Sequence, residues 1–160
     1  MVGMLGSPSD ISGGLKEWRV KVYPSEDGKA AFVRLERGTD LLASLNEGAA
    51  ELGVEAGTVQ VIGAVQELVL GYFNQQKKEY EPHHFTGGFE IASGLGNVSL
   101  KDGKPFVHMH LVCAGKDAST IGGHLMEGTA VYLGEAYFRQ LGGPAPAREQ
   151  DDDIGLPAWG

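Results

Sequence analysis

From Gly57 to Leu141 the chain is a succession of short apolar and alternating runs, each closed by glycine or turn chemistry, and this cadence limits it to a fold built mainly of strands. Thr58–Val65 (TVQVIGAV), Glu67–Phe73 (ELVLGYF) and Gly88–Ser93 (GFEIAS) read as strands. Asn97–Leu100 and Pro105–Cys113 flank Lys101-Asp102-Gly103-Lys104, and Asp-Gly between two alternating runs is the strongest short-range hairpin signal. Thr129–Leu141 closes the series as one long strand or two. Glycine makes up 25 of the 160 residues, in keeping with many turns in a chain that is 42% hydrophobic.

Upstream, Trp18–Tyr23 alternates apolar and basic residues, Pro24–Gly28 is a turn, and Ala30–Leu35 returns as a second strand. One helix stands out. Thr39 or Asp40 can cap it, Leu41, Leu42, Leu45, Ala49 and Leu52 recur at helical spacing, and Gly53 stops it. The expected class is α+β: a mostly antiparallel or mixed sheet of roughly eight strands with one main amphipathic helix. The ends differ from this middle. Residues 1–15 read as a flexible N-terminal segment, 16–142 as the folded domain, and 143–160 as an acidic flexible tail with four acids against Arg148. Leu156 and Trp159 give that tail a means of docking, but a solvated tail is the expected state.

Composition excludes several functions. The formal charge is −8, whereas a dedicated nucleic-acid binder carries a basic stripe or domain. Lys77-Lys78 and Lys101/Lys104 are the only grouped cations, and both pairs read as solvated turns. A single cysteine, Cys113, rules out an intrachain disulfide framework and thiolate zinc fingers, fits a reducing cytoplasmic compartment, and reads as core. No apolar run is long enough for a membrane helix, and the first residues lack the basic and apolar pattern of a secretory leader. No phosphate loop, Rossmann fingerprint or Gly-x-Ser-x-Gly elbow is present.

The chemistry gathers at histidine. All five lie between His83 and His124. His108 and His110 are two apart in a strand, so both imidazoles leave one face while Val107, Met109, Leu111 and Cys113 leave the other. His124 follows Gly122-Gly123, which allow a sharp bend that delivers a third imidazole from a loop. Three imidazoles match a functional zinc site with one open position, and the same nitrogens accept nickel, iron, cobalt or copper. The competing reading has the histidines facing solvent or a subunit contact. His83-His84, after Pro82, read as loop residues that could cover a site. Glu90 and Arg34 are the catalytic candidates, one as a partner to a metal-bound histidine or water, the other as a holder of an anionic ligand; a salt bridge or a plain strand face is the alternative for each.

One ordered series carries a family resemblance. Arg34-Leu35 with Gly38-Thr-Asp-Leu41, Gly57–Ala64, Gly88–Ile91, Gly96-Asn-Val98, Asp102–Pro105, His108-Met-His110, Gly122–Leu125, Gly128 and Glu135 together make residues 18–141 resemble the PPC domain, the plant and prokaryote conserved domain, in its stand-alone bacterial and archaeal form. The resemblance implies a compact α+β domain, a homotrimer, and a metal at His108, His110 and His124. The wider fold group resembles acetolactate decarboxylase, which holds zinc through His-x-His and a later histidine; this implies a metal-dependent enzyme of small keto or hydroxy acids as an alternative role, with a small anionic ligand near the metal. Plant members of the family bind AT-rich DNA through an Arg-Gly-Arg hook. Here Arg37-Gly38 is followed by Thr39, and residues 1–142 carry 12 basic against 17 acidic groups, so a DNA-binding or regulatory role is implied by the family and opposed by the charge.

Overall fold

The structure is a computed structural model that describes residues 20–160. The expectation for residues 1–15 lies outside the described residues, as do Trp18 and Arg19 of the first expected strand. The elements run β1 (Val20–Pro24), β2 (Ala30–Leu35), α1 (Leu41–Glu51), β3 (Gly57–Asn74), β4 (Glu79–Lys101), β5 (Lys104–Ala114), β6 (Thr120–Leu125), β7 (Ala130–Gln140), β8 (Arg148–Asp151) and β9 (Leu156–Trp159). Seven strands form one antiparallel sheet in the order β1-β2-β7-β3-β4-β5-β6. The end of β3 also pairs with β6, Leu70 opposite Leu125 and Gly71 opposite His124, so β3 to β6 close on themselves. The class is α+β, as expected.

Two long strands replace several expected short ones. The expected break at Gln66 is a bulge inside one continuous 18-residue strand, β3. Buried positions run Val59, Val61, Val65 before it and Leu68, Leu70 after it, the change of face that one inserted residue imposes. β4 likewise absorbs Gly88–Ser93, Asn97–Leu100 and the expected loop at His83-His84 into 23 residues, because β3 pairs with it along nearly its whole length. The Asp102-Gly103 hairpin is present, both residues at positive φ (53° and 71°) as a two-residue primed turn requires.

Helix α1 fixes the inner face of the sheet. Asp40 is its cap: one carboxylate oxygen accepts from the Ala43 amide at 2.8 Å, the other from the Gly128 amide at 2.7 Å. Gly53, at φ 64°, ends it. Leu41, Leu45 and Ala49 are fully buried against Val33, Leu35, Val107, Met109 and Phe138. Each buried leucine contributes about 1.5–3 kcal/mol. The helix also grips β5 directly, where Asn46 Oδ1 accepts from the Val107 amide at 2.8 Å. On β5, Val107, Met109, Leu111 and Cys113 are buried in this core, while His108, His110 and Val112 face outward.

The expected flexible tail is folded. Residues 148–159 form a second sheet, the β8–β9 hairpin, whose turn is tied by Asp151 Oδ1 accepting from the Asp153 and Ile154 amides. The acids of the turn point to solvent, so the charge that suggested a solvated tail does not oppose folding. The Leu100 amide donates to Pro146 O at 2.9 Å, which stitches the hairpin to the end of β4.

Candidate metal centre

His108 and His110 stand side by side on β5, and β6 places His124 directly opposite His110. One ligating nitrogen from each ring lies within 4.8 Å of the others, and the ring centroids are 5.0–5.5 Å apart. His124 is therefore a strand residue, not the loop residue expected. Its two preceding glycines serve close approach rather than a bend. A Cβ on Gly123 would meet Gly71 O at 3.1 Å and Leu70 Cβ at 3.2 Å, and one on Gly122 would meet Leu111 O at 3.0 Å. Bare backbone lets β6 lie tight between β5 and β3, which brings the third imidazole to the pair.

The environment favours the neutral form of two of these rings, His124 and His108. Burial, then the neighbouring His108, His110 and Arg148, pushes His124 down to about 4, and the same kinds of cause, burial first, lower His108. Nδ1 of His124 is buried without a hydrogen-bond partner among the described residues. The neutral, buried Nδ1 of His124 is a lone pair available to a cation, and with His108 and His110 beside it the set of three imidazoles fits a borderline divalent metal. Tyr80 stacks on His124 at 4.6 Å between ring centroids. Arg148 reaches the other side: its Nε donates to Ser99 Oγ at 2.9 Å, one terminal nitrogen to Asn97 Oδ1 at 3.0 Å, and that same nitrogen stands 3.4 Å from His108 Nδ1.

The depressed His124 value has a sign that can be tested. The unfolded ring takes up its proton near 6.5, the folded ring only near 4, so metal-free protein holds this stability fully above pH 6.5 and loses it as pH falls towards 4. Allowing for the ring's partial exposure, the loss is on the order of 2 kcal/mol. Thermal unfolding with chelator present is expected to show a drop between pH 7 and 4.5 that is clearly smaller in His124→Asn. Equal drops would remove His124 as the cause.

The other candidates fall elsewhere. Glu90 pairs with Ala114, four residues along β5 from His110, which strand spacing makes about 13 Å. It lines a separate cleft with Glu67 and Lys116. Arg34 sits on β2, with β7, β3 and β4 between it and β5, about 19 Å by sheet spacing, and lines a groove with Tyr23 and Tyr137. Neither meets the histidines, because sheet order and not sequence proximity decides who meets. His83 does line a cleft with His110 and His124, from a strand instead of the expected loop, whereas Cys113 is buried core with its thiol pushed up to about 11 by burial.

Tyr80 and Arg148 escaped the sequence reading. The signal for Tyr80 was weak: Asn74 opens a turn, its Oδ1 accepting from the Gln76 and Lys77 amides, and the residues after Lys78 start a strand. For Arg148 the legible signal was Asp151…Gly155 between two short runs, the pattern of a hairpin turn.

Comparison with known proteins gives this geometry a context. The metal-containing protein of Archaeoglobus fulgidus is 39% identical, with a TM-score of 0.77, over 91% of this chain and 99% of that one. A plant- and prokaryote-conserved (PPC) protein of Pyrococcus horikoshii is 31% identical, TM-score 0.78, over 88% and 94%. A candidate DNA-binding protein of Bacteroides thetaiotaomicron is 25% identical, TM-score 0.81, over 89% and 97%. No curated protein matches the chain at a significant level. The family model of the Plants and Prokaryotes Conserved (PCC) domain matches residues 23–141, and the chain belongs to that family.

Proposed function

We propose that this chain is a metal-binding PCC-domain protein that holds one divalent transition metal, zinc first and nickel, iron or cobalt as alternatives, through His108, His110 and His124. The observation that carries the reading is the partnerless, buried Nδ1 of His124 within a cluster of three convergent imidazoles. The A. fulgidus relative, described as metal-containing, supports it. When bound, such an ion supplies Lewis-acid polarisation of an oxygen ligand at its open position. The chain's own residues hold it from rigid strands, and Tyr80 screens one side from water.

The test is elemental analysis of protein purified without chelator or nickel resin. About one equivalent of a transition metal per chain is expected, by the three-ligand plan. His124→Ala is expected to retain less than a tenth of it. A metal content below a tenth in the parent, or one unchanged by the substitution, overturns the reading.

A homotrimer is part of the proposal. The outward sheet face exposes Phe32 (63%), Ile62 (55%) and Leu95 (60%), large apolar side chains of the kind a second copy covers. The exposed His110 lies on that face in register with Leu95. Sedimentation is expected to give three times the 17.0 kDa chain mass. A cytoplasmic setting fits the single cysteine, and no helix of the described residues is long and apolar enough to cross a membrane.

The B. thetaiotaomicron relative favours a second reading, DNA association. The −8 charge opposes it. Titration with duplex DNA at low salt is expected to show no binding, and salt-dependent binding there would favour this second reading over the first.

A further inference from the structure

Beside the histidines the C-terminal hairpin roofs a cleft of about 370 Å³. His108, His124 and Tyr80 form its floor, and three cations, Lys78, Lys101 and Arg148, come to it from separate parts of the chain. Among the described residues only Lys77 has a carboxylate within 4.0 Å, so none of the three is ion-paired. The lining acid, Glu79, has Lys77 as its partner at 3.9 Å. Three unpaired cations in one cleft are out of keeping with a chain of charge −8.

Their surroundings hold them in place without neutralising them. Arg148 donates to Ser99 Oγ, Asn97 Oδ1 and Pro157 O, all neutral acceptors, and its guanidinium lies 5.6 Å from the ring centroids of both Phe106 and Trp159. Lys78 Nζ donates to Asp152 O at 2.7 Å, and the Lys101 ammonium sits 5.1 Å over Phe106. Aromatic and proline walls lower the local dielectric, which strengthens attraction for an anion entering between them. Fixed positive charge with low-dielectric walls is the arrangement that concentrates small anions.

We propose that this cleft is an oxyanion subsite: it binds the carboxylate or phosphate end of a small molecule whose other end reaches the three-histidine centre. The inference rests on the metal reading for that other end, and on the cations alone for the anionic end. Lys101 and Lys78 flank tight turns, each held by a single contact that a ligand oxygen can replace, whereas Arg148, with three hydrogen bonds, sets the field and the position of the roof. The cleft's volume suits a metabolite of a few heavy atoms, not a polymer backbone.

Calorimetric titration of the full chain with inorganic phosphate and, separately, malonate tests this, each with zinc-loaded and with chelator-treated protein at low ionic strength. Saturable binding of at least one probe is expected, weakened about tenfold or more in Lys101→Met/Lys78→Met, as loss of charge-assisted contacts requires. Lys104→Met, which removes one charge outside the cleft, is expected to bind like the parent. A preference for phosphate identifies a phosphate ester as the ligand class, and a preference for malonate identifies an organic acid. Binding that persists in chelator-treated protein and is lost in the double variant supports the subsite even if no metal is found, which would count against the metal reading alone. No saturable binding of either probe to the parent, or equal binding by the double variant, overturns the inference.

Discussion

Chelation of the metal-loaded protein is expected to lower its melting temperature by about 10 °C, and His108→Ala/His110→Ala is expected to melt at the lower temperature with or without chelator. A ligand that binds only the folded chain stabilises it by RT ln(1 + [L]/Kd), about 4 kcal/mol when free metal exceeds Kd a thousandfold. For a domain of this size each kcal/mol moves the midpoint by about 2–4 °C. The three ligands sit on β5 and β6, neighbouring strands of the closed segment β3 to β6, so the bound ion ties the shortest strand of that segment to its neighbour. Scanning calorimetry with and without chelator reads the effect. A parent midpoint indifferent to chelator, or a double variant that still responds, would place any metal elsewhere.

Gly63→Ala is expected to cost at least about 3 kcal/mol, the range set by main-chain strain and backbone clash together. Gly63 lies at a second bulge of β3, where the β3–β4 register shifts after Val61, with φ 137°, and a Cβ there would fall on the carbonyl oxygen of Leu133 across the β3–β7 ladder. Neither partner can yield, since Gly63 is registered with Gly134 on one side and Ile91 on the other. Gly28→Ala is the internal control: it too sits at positive φ, 67°, but nothing lies within 4 Å of the added atom, so only the conformational cost of about 1 kcal/mol remains. Urea unfolding of both variants separates the two contributions. Equal losses would mean that the bulge accommodates the methyl group.

What the residue order disclosed follows a physical rule. Features set by local periodicity were legible: the capped helix with Leu41, Leu45 and Ala49 inward, the Asp102-Gly103 turn, and the shared face of His108 and His110. Features set by long-range pairing were not. Nothing near Pro82-His83-His84 says strand; the ladder partners, Gly71, Leu70 and Val69, 11 to 15 residues away, do. Arg34 and Glu90 are ordinary choices on composition, but only the order β2-β7-β3-β4-β5 reveals how far Arg34 stands from the histidines. The tail misled because a run of acids is usually solvated; here the acids occupy the turn, and Arg148, twelve residues from the chain end, does the docking.

The alternation along β5 has an outcome for how such a protein can change over time. Val107, Met109, Leu111 and Cys113 answer to the helix and the core, while His108, His110 and Val112 answer to whatever lies in front of the sheet. Even-numbered positions are therefore free to exchange donor atoms with little penalty to folding, and odd-numbered ones are not. Rewriting the two outward histidines would retune or abolish ligand preference on an unchanged scaffold, which makes β5 a place where one architecture can host many chemistries.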